Sequence, residues 1–406
     1  MRENVRLLCA ADLHLGKKIR LPENFNDDFC VSSAFQELIL FAIREKVDAI
    51  LLAGDILESE EDFFEACHIL EKTTNSLKEA NIPIIAVTGN HDAALYRKLE
   101  KILDPSIFHI LGKDEKWESI ILQFHGREIE FQGFSFASSS LQYNPFDKYD
   151  LPRIEEGKIA IGILHCDLQD KKSIYGPASL IDFQSKSPKA WVLGHIHQSE
   201  ILQDYPLIFY CGALMGMDVS ECKEHGGFLL NIDSEGTITH ETVCVAKLQW
   251  QQCVVHLDGV SEEDFEAILY KKILEAVDKS KITGIKLVLQ GHCSFYDKLN
   301  IILPTLILKS DVFFIDRIVN LAEPDIDLER LARSNDIAAI LARKLLALKQ
   351  GQEDCLCSLS DEIMNMKLGH QYFKTHDLKK KSLEELKSLV LEAGYFVLNE
   401  MIKNVT

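Results

Sequence analysis

Five short polar clusters, each following an apolar run, hold the residues whose types and spacing could do chemistry. They are Asp12-Leu13-His14, Gly54-Asp55, Gly89-Asn90-His91-Asp92, His165 with Cys166 and Asp167, and Gly194-His195-Ile196-His197. Carboxylate and amide oxygens and imidazole nitrogens are ligands for borderline divalent metals such as manganese, iron or zinc. Residues two apart in an extended chain face one side, so Asp12 should converge with His14, and His195 with His197. Any single cluster has an ordinary explanation, because Asn-His-Asp and Gly-Asp are common turn chemistry and a lone histidine after a strand is more often structural. Their occurrence at the ends of five separate apolar runs is not explained that way. Collected, the strand-end residues are Asp12, His14, Asp55, Asn90, His91, His165, His195 and His197, and seven ligands are too many for one ion. With one carboxylate shared they fill two sites about 3.5–4 Å apart, the arrangement suited to in-line displacement at phosphorus. Lys17, Lys18 and Arg20 follow the first cluster directly; each alone reads as a solvated turn residue, and together they are candidate phosphate contacts.

The elements that must position these groups alternate in type. Val5 to Ala11, Ala49 to Ala53 and Ile84 to Thr88 read as buried strands. Helical spacing over Ser32 to Lys46 and about Glu60 to Glu79 separates them, which implies a largely parallel sheet with its sites at the carboxyl ends of the strands. Ile159 to Leu164 and Trp191 to Leu193 deliver the fourth and fifth clusters, while residues 104–157 offer shorter strands and loops without assignable chemistry. Leu207 to Tyr210, Gly227 to Ile232 and Thr239 to Ala246 are expected to form a second sheet layered on the first.

From about residue 248 the organisation changes. A strand at Gln249 to Leu257, a helix capped by Ser261 and Asp264 running to about Lys279, and a strand at Gly284 to Gln290 suggest a small α/β unit ending near Asn320. The remainder reads as helical. Ile337, Ile340, Leu341, Leu345 and Leu348 make one apolar face, and Ile363, Met366 and Tyr372 a weaker second. After the basic Lys379-Lys380-Lys381, Ser382 and Glu385 form a capping box. Leu383, Leu386, Val390, Ala393 and Val397 then recur at near-heptad spacing, a stripe that packs within its own bundle or docks a partner helix. The expected division is 1–247, 248–320 and 321–406, and the expected class is α/β.

Composition bounds the rest. At 406 residues the chain should hold two or three domains, and its 47% hydrophobic and 26% charged content excludes disordered and membrane classes. Val5 to Ala11 ends in Asp12 and His14 and lacks a small-residue cleavage pattern, so it reads as a strand and not as a secretory segment. Eleven scattered cysteines, an odd number, suit a reducing compartment, and the cytoplasm is the expected location. The net charge of -19 argues against broad nonspecific affinity for nucleic acid, although acidic ligands can gather metals that supply positive charge locally.

In this order the five clusters resemble the signature of the calcineurin-like metallophosphoesterases, over about residues 5 to 245. Within that superfamily the chain is most similar to the SbcD-type DNA repair exonucleases. Asp12-Leu13-His14-Leu15-Gly16, Ala53-Gly54-Asp55, Tyr210-Cys211-Gly212-Ala213, Glu224-His225-Gly226-Gly227-Phe228 and the small α/β cap carry that likeness. The resemblance implies a two-layered β-sandwich flanked by helices, with a helical C-terminal partner-binding region. It implies two divalent ions, manganese with iron or zinc as alternatives, one held by Asp12, His14, Asp55 and His197. The other takes Asp55, Asn90, His165 and His195, with Asp55 bridging. It further implies that His91, oriented by Asp92, protonates the leaving 3′ oxygen, so that 3′–5′ digestion of DNA releases 5′ nucleotides. The partners it implies are DNA and an SMC-like ATPase of the SbcC type, with a homodimer compatible and no membrane. Two positions depart from the family's habit: Leu57 and Glu58 stand where relatives commonly carry an aromatic and then His or Asp, and Ala93 stands where Ser is usual. The alternative function is a phosphodiesterase or phosphatase acting on a small nucleotide. A scaffold that had lost its metals would lack ligands, and none is lacking.

Overall fold

The structure, a computed structural model, describes residues 4–22, 25, 29–155, 157–278, 280–305, 310–352, 356–365 and 383–403. The chain divides into two compact units, one of Met1–Gln252 with Ala276–Lys286 and Lys309–Arg317, the other of Cys253–Glu275, Leu287–Leu308 and Ile318–Thr406. No described helix is long and apolar enough to cross a membrane.

The first unit begins β1 (Val5–Ala10), α1 (Val31–Glu45), β2 (Ala49–Ala53), α2 (Phe63–Ala80), β3 (Ile84–Val87), α3 (Tyr96–Ile102) and β4 (Phe108–Ile110). It continues β5 (Glu118–Phe124), β6 (Arg127–Phe134), β7 (Ile159–His165), α4 (Leu180–Gln184), β8 (Ala190–Gly194), β9 (Glu200–Asp204), β10 (Leu207–Tyr210), β11 (Gly227–Ile232) and β12 (Ile238–Val243). Two six-stranded sheets result, ordered β12-β11-β1-β2-β3-β4 and β5-β6-β7-β8-β10-β9. The strand alternation explains why they stack. Leu7, Cys9, Leu51, Ile85 and Val87 of the first sheet meet Phe131, Ile161, Ile163, Val192 and Phe209 of the second in one buried core. Leu8, Ala10, Ile50, Leu52 and Ile84 point the other way, onto Phe35 and Leu38 of α1 and Leu70 and Leu77 of α2. On the outer face of the second sheet, Leu164, Trp191 and Leu193 pack with Phe183 of α4. The fold is therefore the two-layered α/β sandwich flanked by helices that the sequence implied.

The assignment of strands to sheets differs from expectation. Of the three strands expected to build the second sheet, only β10 does. β11 and β12 extend the first sheet, antiparallel beside β1, with Leu8 opposite Leu229. β7 and β8, which carry the fourth and fifth clusters, belong to the second sheet and run parallel. A uniformly buried run fits either sheet equally well, so pattern alone could not choose its neighbour.

The chain then forms β13 (Leu248–His256), α5 (Glu262–Ala276), β14 (Ile282–Cys293), α6 (Tyr296–Thr305) and β15 (Phe313–Pro324), the strands ordered β13-β14-β15. Ser261 Oγ accepts the Asp264 N–H at 3.1 Å, the expected cap of α5. β15 was not anticipated, so the helical part begins only at α7 (Leu328–Ala332), followed by α8 (Ile337–Lys349), α9 (Leu356–Asn365) and α10 (Leu383–Lys403). In the second unit Leu341, Leu345 and Leu348 pack with Leu359, Ile363, Val390, Ala393 and Val397. Val390, Ala393 and Val397 of the near-heptad stripe are thus spent inside their own bundle, with Leu386 partly buried against it. Ile337 and Ile340, expected on the buried face of α8, are instead 71% and 51% exposed, while Ala339 and Ala342 are buried. The buried face of α8 is turned away from these two isoleucines, and Leu345 on that face meets α10, where a Cβ on Gly394 would lie 2.4 Å from Leu345 Cδ2. Met366, Tyr372, Lys379, Lys380, Lys381 and Ser382 lie outside the described residues.

This packing sets an expected contrast. Leu345→Ala should lower the unfolding free energy by about 2–5 kcal/mol, whereas Ile340→Ser should change it by no more than about 0.5 kcal/mol, both read by urea denaturation. Equal losses would mean that α8 buries the face of Ile337 and Ile340 after all.

Candidate metal centre

The backbone, more than side-chain alternation, brings the first two clusters together. Asp12, His14 and Asp55 have φ of 49°, 47° and 49°, and His195 has 95°, a left-handed region that non-glycine residues seldom enter. Asp12 and His14 therefore converge through successive tight turns and not as alternate residues of an extended strand. Those turns are zipped to the loop after β2: Asp12 N–H donates to Gly54 O at 3.1 Å, His14 N–H to Asp55 O at 2.9 Å, and Leu15 N–H to Ile56 O at 2.9 Å. Glycines allow the remaining approaches. A Cβ on Gly89 would lie 2.3 Å from Asp55 Oδ1, and one on Gly194 would lie 2.0 Å from Ala53 O.

Side chains then cross between the sheets. Asp12, at the end of β1, accepts the His195 N–H on both oxygens, at 3.0 and 3.1 Å. Asp55 Oδ1 accepts the His91 N–H at 2.9 Å. His165 donates from Nδ1 to Ala53 O at 3.1 Å, which leaves its Nε2 lone pair 3.1 Å from Asn90 Oδ1 and 3.5 Å from Asp55 Oδ2. His14 Nδ1 pairs with Glu58 Oε2 at 2.7 Å and His197 Nδ1 with Glu221 Oε1 at 2.7 Å. The Nε2 atoms of these two rings face each other at 3.2 Å. With each Nδ1 proton committed to a carboxylate, facing lone pairs at that distance are stabilised by a cation, or an added proton, between them.

Among the described residues, three triads offer ligand atoms within 4.8 Å of one another: Asp12, His14 and His197; Asp12, Asp55 and His165; and His14, Asp55 and His91. The donor set and its converging lone pairs fit divalent metal ions. Burial pushes the Asp12 carboxyl up, and its neighbour Asp55 adds to this against the opposing His165. Burial acts the same way on Asp55, yet the His165 and His14 rings and the His91 N–H bring it below the usual range. His195 is lowered to about 4, by burial first and then by His165. His197 is raised because Glu221, with Asp12 behind it, outweighs burial.

Of the residues singled out from sequence, Asp12, His14, Asp55, His91, His165 and His197 enter these triads, and Asn90 touches His165. Asp12 lies beside His165 as well as beside His14 and His197, although the resemblance had separated it from His165. His195 stands outside the triads, its ring 5.3 Å from that of His165 and its Nε2 3.8 Å from Asp167 Oδ2. His91, expected away from the metals, is exposed with its ring 4.7 Å edge-on to His14. Asp92 does not take the orienting role expected of it. Its buried carboxylate accepts Ile56 N–H at 2.7 Å and Gly89 N–H at 2.8 Å, stapling the second cluster to the third. The His91 Nδ1 instead meets Glu58 O at 3.0 Å. Burial and the charge of Asp55 push Asp92 up to about 6. Lys17 is paired with Glu58 at 2.6 Å, while Lys18 and Arg20 are exposed. Sequence reasoning missed Glu58 as a partner, noting it only as a departure, and missed Glu221 altogether. Nearness to Asp55 could have flagged the first; nothing local flags the second.

The family described as "Calcineurin-like phosphoesterase" matches residues 5–199. The chain is similar to an "Uncharacterized metallophosphoesterase YhaO" of Bacillus subtilis, 27% identical over 72% of this chain and 73% of that protein. It is similar to the SbcD component of the SbcCD nuclease of Staphylococcus epidermidis, 24% identical over 76% and 86%. With the "DNA double-strand break repair protein Mre11" of Sulfurisphaera tokodaii it shares 29% identity over 49% of its length, and it spans half of that relative.

The staple makes a prediction for metal-free protein. Asp92→Ala strands two buried N–H groups at about 1–3 kcal/mol each, so its urea midpoint should fall clearly. His91→Ala, at an exposed position, should shift stability by no more than about 0.5 kcal/mol. An unchanged midpoint for Asp92→Ala would remove the stapling role.

Proposed function

We propose that this chain, which belongs to the calcineurin-like phosphoesterases over residues 5–199, is a metal-dependent DNA exonuclease that works with an SMC-like ATPase of the SbcC type. Phosphoester hydrolysis at a dinuclear metal site is the chemistry of the family. The observation that carries the finer reading is the centre itself: the Asp55 carboxylate stands between the His14–His197 pair and the His165–Asn90 pair, both with lone pairs converging. Relatives named as nuclease and double-strand break repair proteins support DNA as substrate.

In this reading Asp12, His14, Asp55 and His197 hold one ion and Asp55, Asn90, His165 and His195 the other, with manganese assigned and iron or zinc as alternatives. When bound, the ions supply Lewis acidity and neutralise charge growing on the phosphoryl oxygens. The remaining steps fall to side chains. His91, exposed at the rim, gives its proton to the leaving 3′ oxygen, so the product keeps a 5′ phosphate. Lys18 and Arg20 meet neighbouring phosphates. Asp92 holds the loops of Asp55 and Asn90 in register. Residues 1–247 form the catalytic domain, 248–320 the cap and 321–406 the partner-binding region, on a surface other than the buried stripe of α10. The eleven cysteines, an odd number scattered along the chain, support a cytoplasmic setting.

The deciding experiment is digestion of end-labelled single- and double-stranded DNA with manganese, beside a nitrophenyl phosphodiester and a cyclic nucleotide. Release of 5′ nucleotides from DNA ends is expected. Cleavage of the cyclic nucleotide alone would replace this reading with a small-nucleotide phosphodiesterase. Asp55→Ala should lose activity on every diester together with bound metal, measured by elemental analysis. His91→Asn should keep both metals and lose far more turnover on DNA than on the nitrophenyl ester, whose leaving group needs no proton. Equal losses would reassign His91 to phosphate binding.

A further inference from the structure

Glu58 belongs to none of the metal-type clusters, yet three contacts with the centre meet on it. Oε2 accepts from His14 Nδ1 at 2.7 Å, Oε1 pairs with Lys17 Nζ at 2.6 Å, and the backbone oxygen meets His91 Nδ1 at 3.0 Å. Its placement is rigid: Leu15 bridges Leu57 in parallel, and Glu58 N–H donates to Leu15 O at 3.1 Å. The His14 side chain is 3% exposed and that of Glu58 19%, so their bond is sheltered, whereas Lys17 is 38% exposed.

We propose that Glu58 is a positioning residue that fixes the His14 tautomer and, by pairing with Lys17, withholds that cation from the substrate. The inference rests on the phosphodiesterase reading of the same site. A carboxylate on Nδ1 keeps the proton there, turns the Nε2 lone pair toward the metal position and makes the ring a stronger donor. Of the two contacts, the one to His14 dominates, because a sheltered hydrogen bond to a charged group outweighs an ion pair open to solvent. Because the same residue also meets His91, the metal-binding and leaving-group sides share one anchor. Lys17 then serves as the countercharge of that anchor, leaving Lys18 and Arg20 as the cations free to meet phosphate.

Three variants separate these roles in the full chain. Glu58→Ala removes the side-chain contacts with His14 and Lys17 and the longer one of 3.8 Å with His91 Nδ1, Glu58→Gln keeps an oxygen for the His14 Nδ1–H while dropping the ion pair, and Lys17→Met removes only the ion pair. Manganese titration of metal-free protein, followed by calorimetry, is the first readout. Glu58→Ala should weaken one of the two ions by about 10–100-fold, Glu58→Gln should restore most of that loss, and Lys17→Met should change little. The second readout is hydrolysis of a nitrophenyl phosphodiester at saturating manganese, where Glu58→Ala should lower kcat with KM nearly unchanged and Lys17→Met should leave KM unchanged. Wild-type manganese affinity in Glu58→Ala, or a Glu58→Gln variant no better than Ala, overturns the positioning role. A several-fold rise in KM for Lys17→Met overturns the withheld cation. Should Glu58→Ala not fold, the comparison of Glu58→Gln with wild type in the same titration decides. Failure of the nuclease reading is separate, since it would show as wild-type protein that binds manganese but leaves DNA uncut.

Discussion

Two carboxylates, Asp12 and Asp55, are buried close together, and much of the catalytic unit is arranged around that cost. An ionised carboxylate taken out of water without partners is expensive by several kcal/mol, and a second beside it adds repulsion. Among the described residues their ion-pair partners are histidines, not lysines or arginines: His165 lies against both, and His14 against Asp55. Backbone donors make up part of the rest, the His195 N–H on Asp12 and the His91 N–H on Asp55. Such a nest of anions and uncommitted imidazole lone pairs favours divalent cations, so the unfavourable burial and the affinity for metal have the same cause.

That nest can be assembled only where two sheets end together. The first three clusters leave β1, β2 and β3 of one sheet and the last two leave β7 and β8 of the other. The bonds from His195 to Asp12 and from His165 to Ala53 O close the gap between them. Their lengths depend on sheet register, which the inward residues Leu7, Leu51, Ile163 and Val192 impose, because a slip of one residue would turn every one of them outward. Core packing and site geometry are thus one constraint. Gly89 and Gly194 mark where the approach is closest and any side chain would collide.

Local pattern made the site strands legible. β1, β2, β3, β7 and β8 are short apolar runs that stop at polar residues, and the sequence alone locates them and the groups they deliver. Pairing was not legible: the Phe228 to Ile232 run carries no mark of the neighbour it will choose, and β15 mixes Asp316, Arg317 and Asn320 into its alternation. On α8, counting isoleucines as buried failed because apolar character alone does not fix which face turns inward, and Ala339 and Ala342 are buried where Ile337 and Ile340 are not. Asp92 was misread for a related reason. Adjacency to His91 in sequence suggested a partnership, but a buried carboxylate is drawn to unpaired N–H groups, and Ile56 and Gly89 offered them. Glu221 lies 24 residues from His197, and only folding brings them together.

The partners on the far side of each imidazole make the two halves of the centre unequal. His14 and His197 each set Nδ1 against a carboxylate, Glu58 and Glu221, which fixes the tautomer and raises the donor strength of Nε2. His165 sets Nδ1 against the neutral carbonyl of Ala53, and His195 lies where burial and a neighbouring ring lower its basicity to about 4. The charge of Asp55 does not remove that difference, because it lies against both His14 and His165. The asymmetry arises in residues that no metal would touch, Glu58 and Glu221, and each of them is also tied to backbone, Glu58 through Leu15 and Glu221 through the Met217 N–H at 2.8 Å. The loops that carry these anchors therefore do more than close the fold, since moving either would change the electronic character of a ring several bonds away.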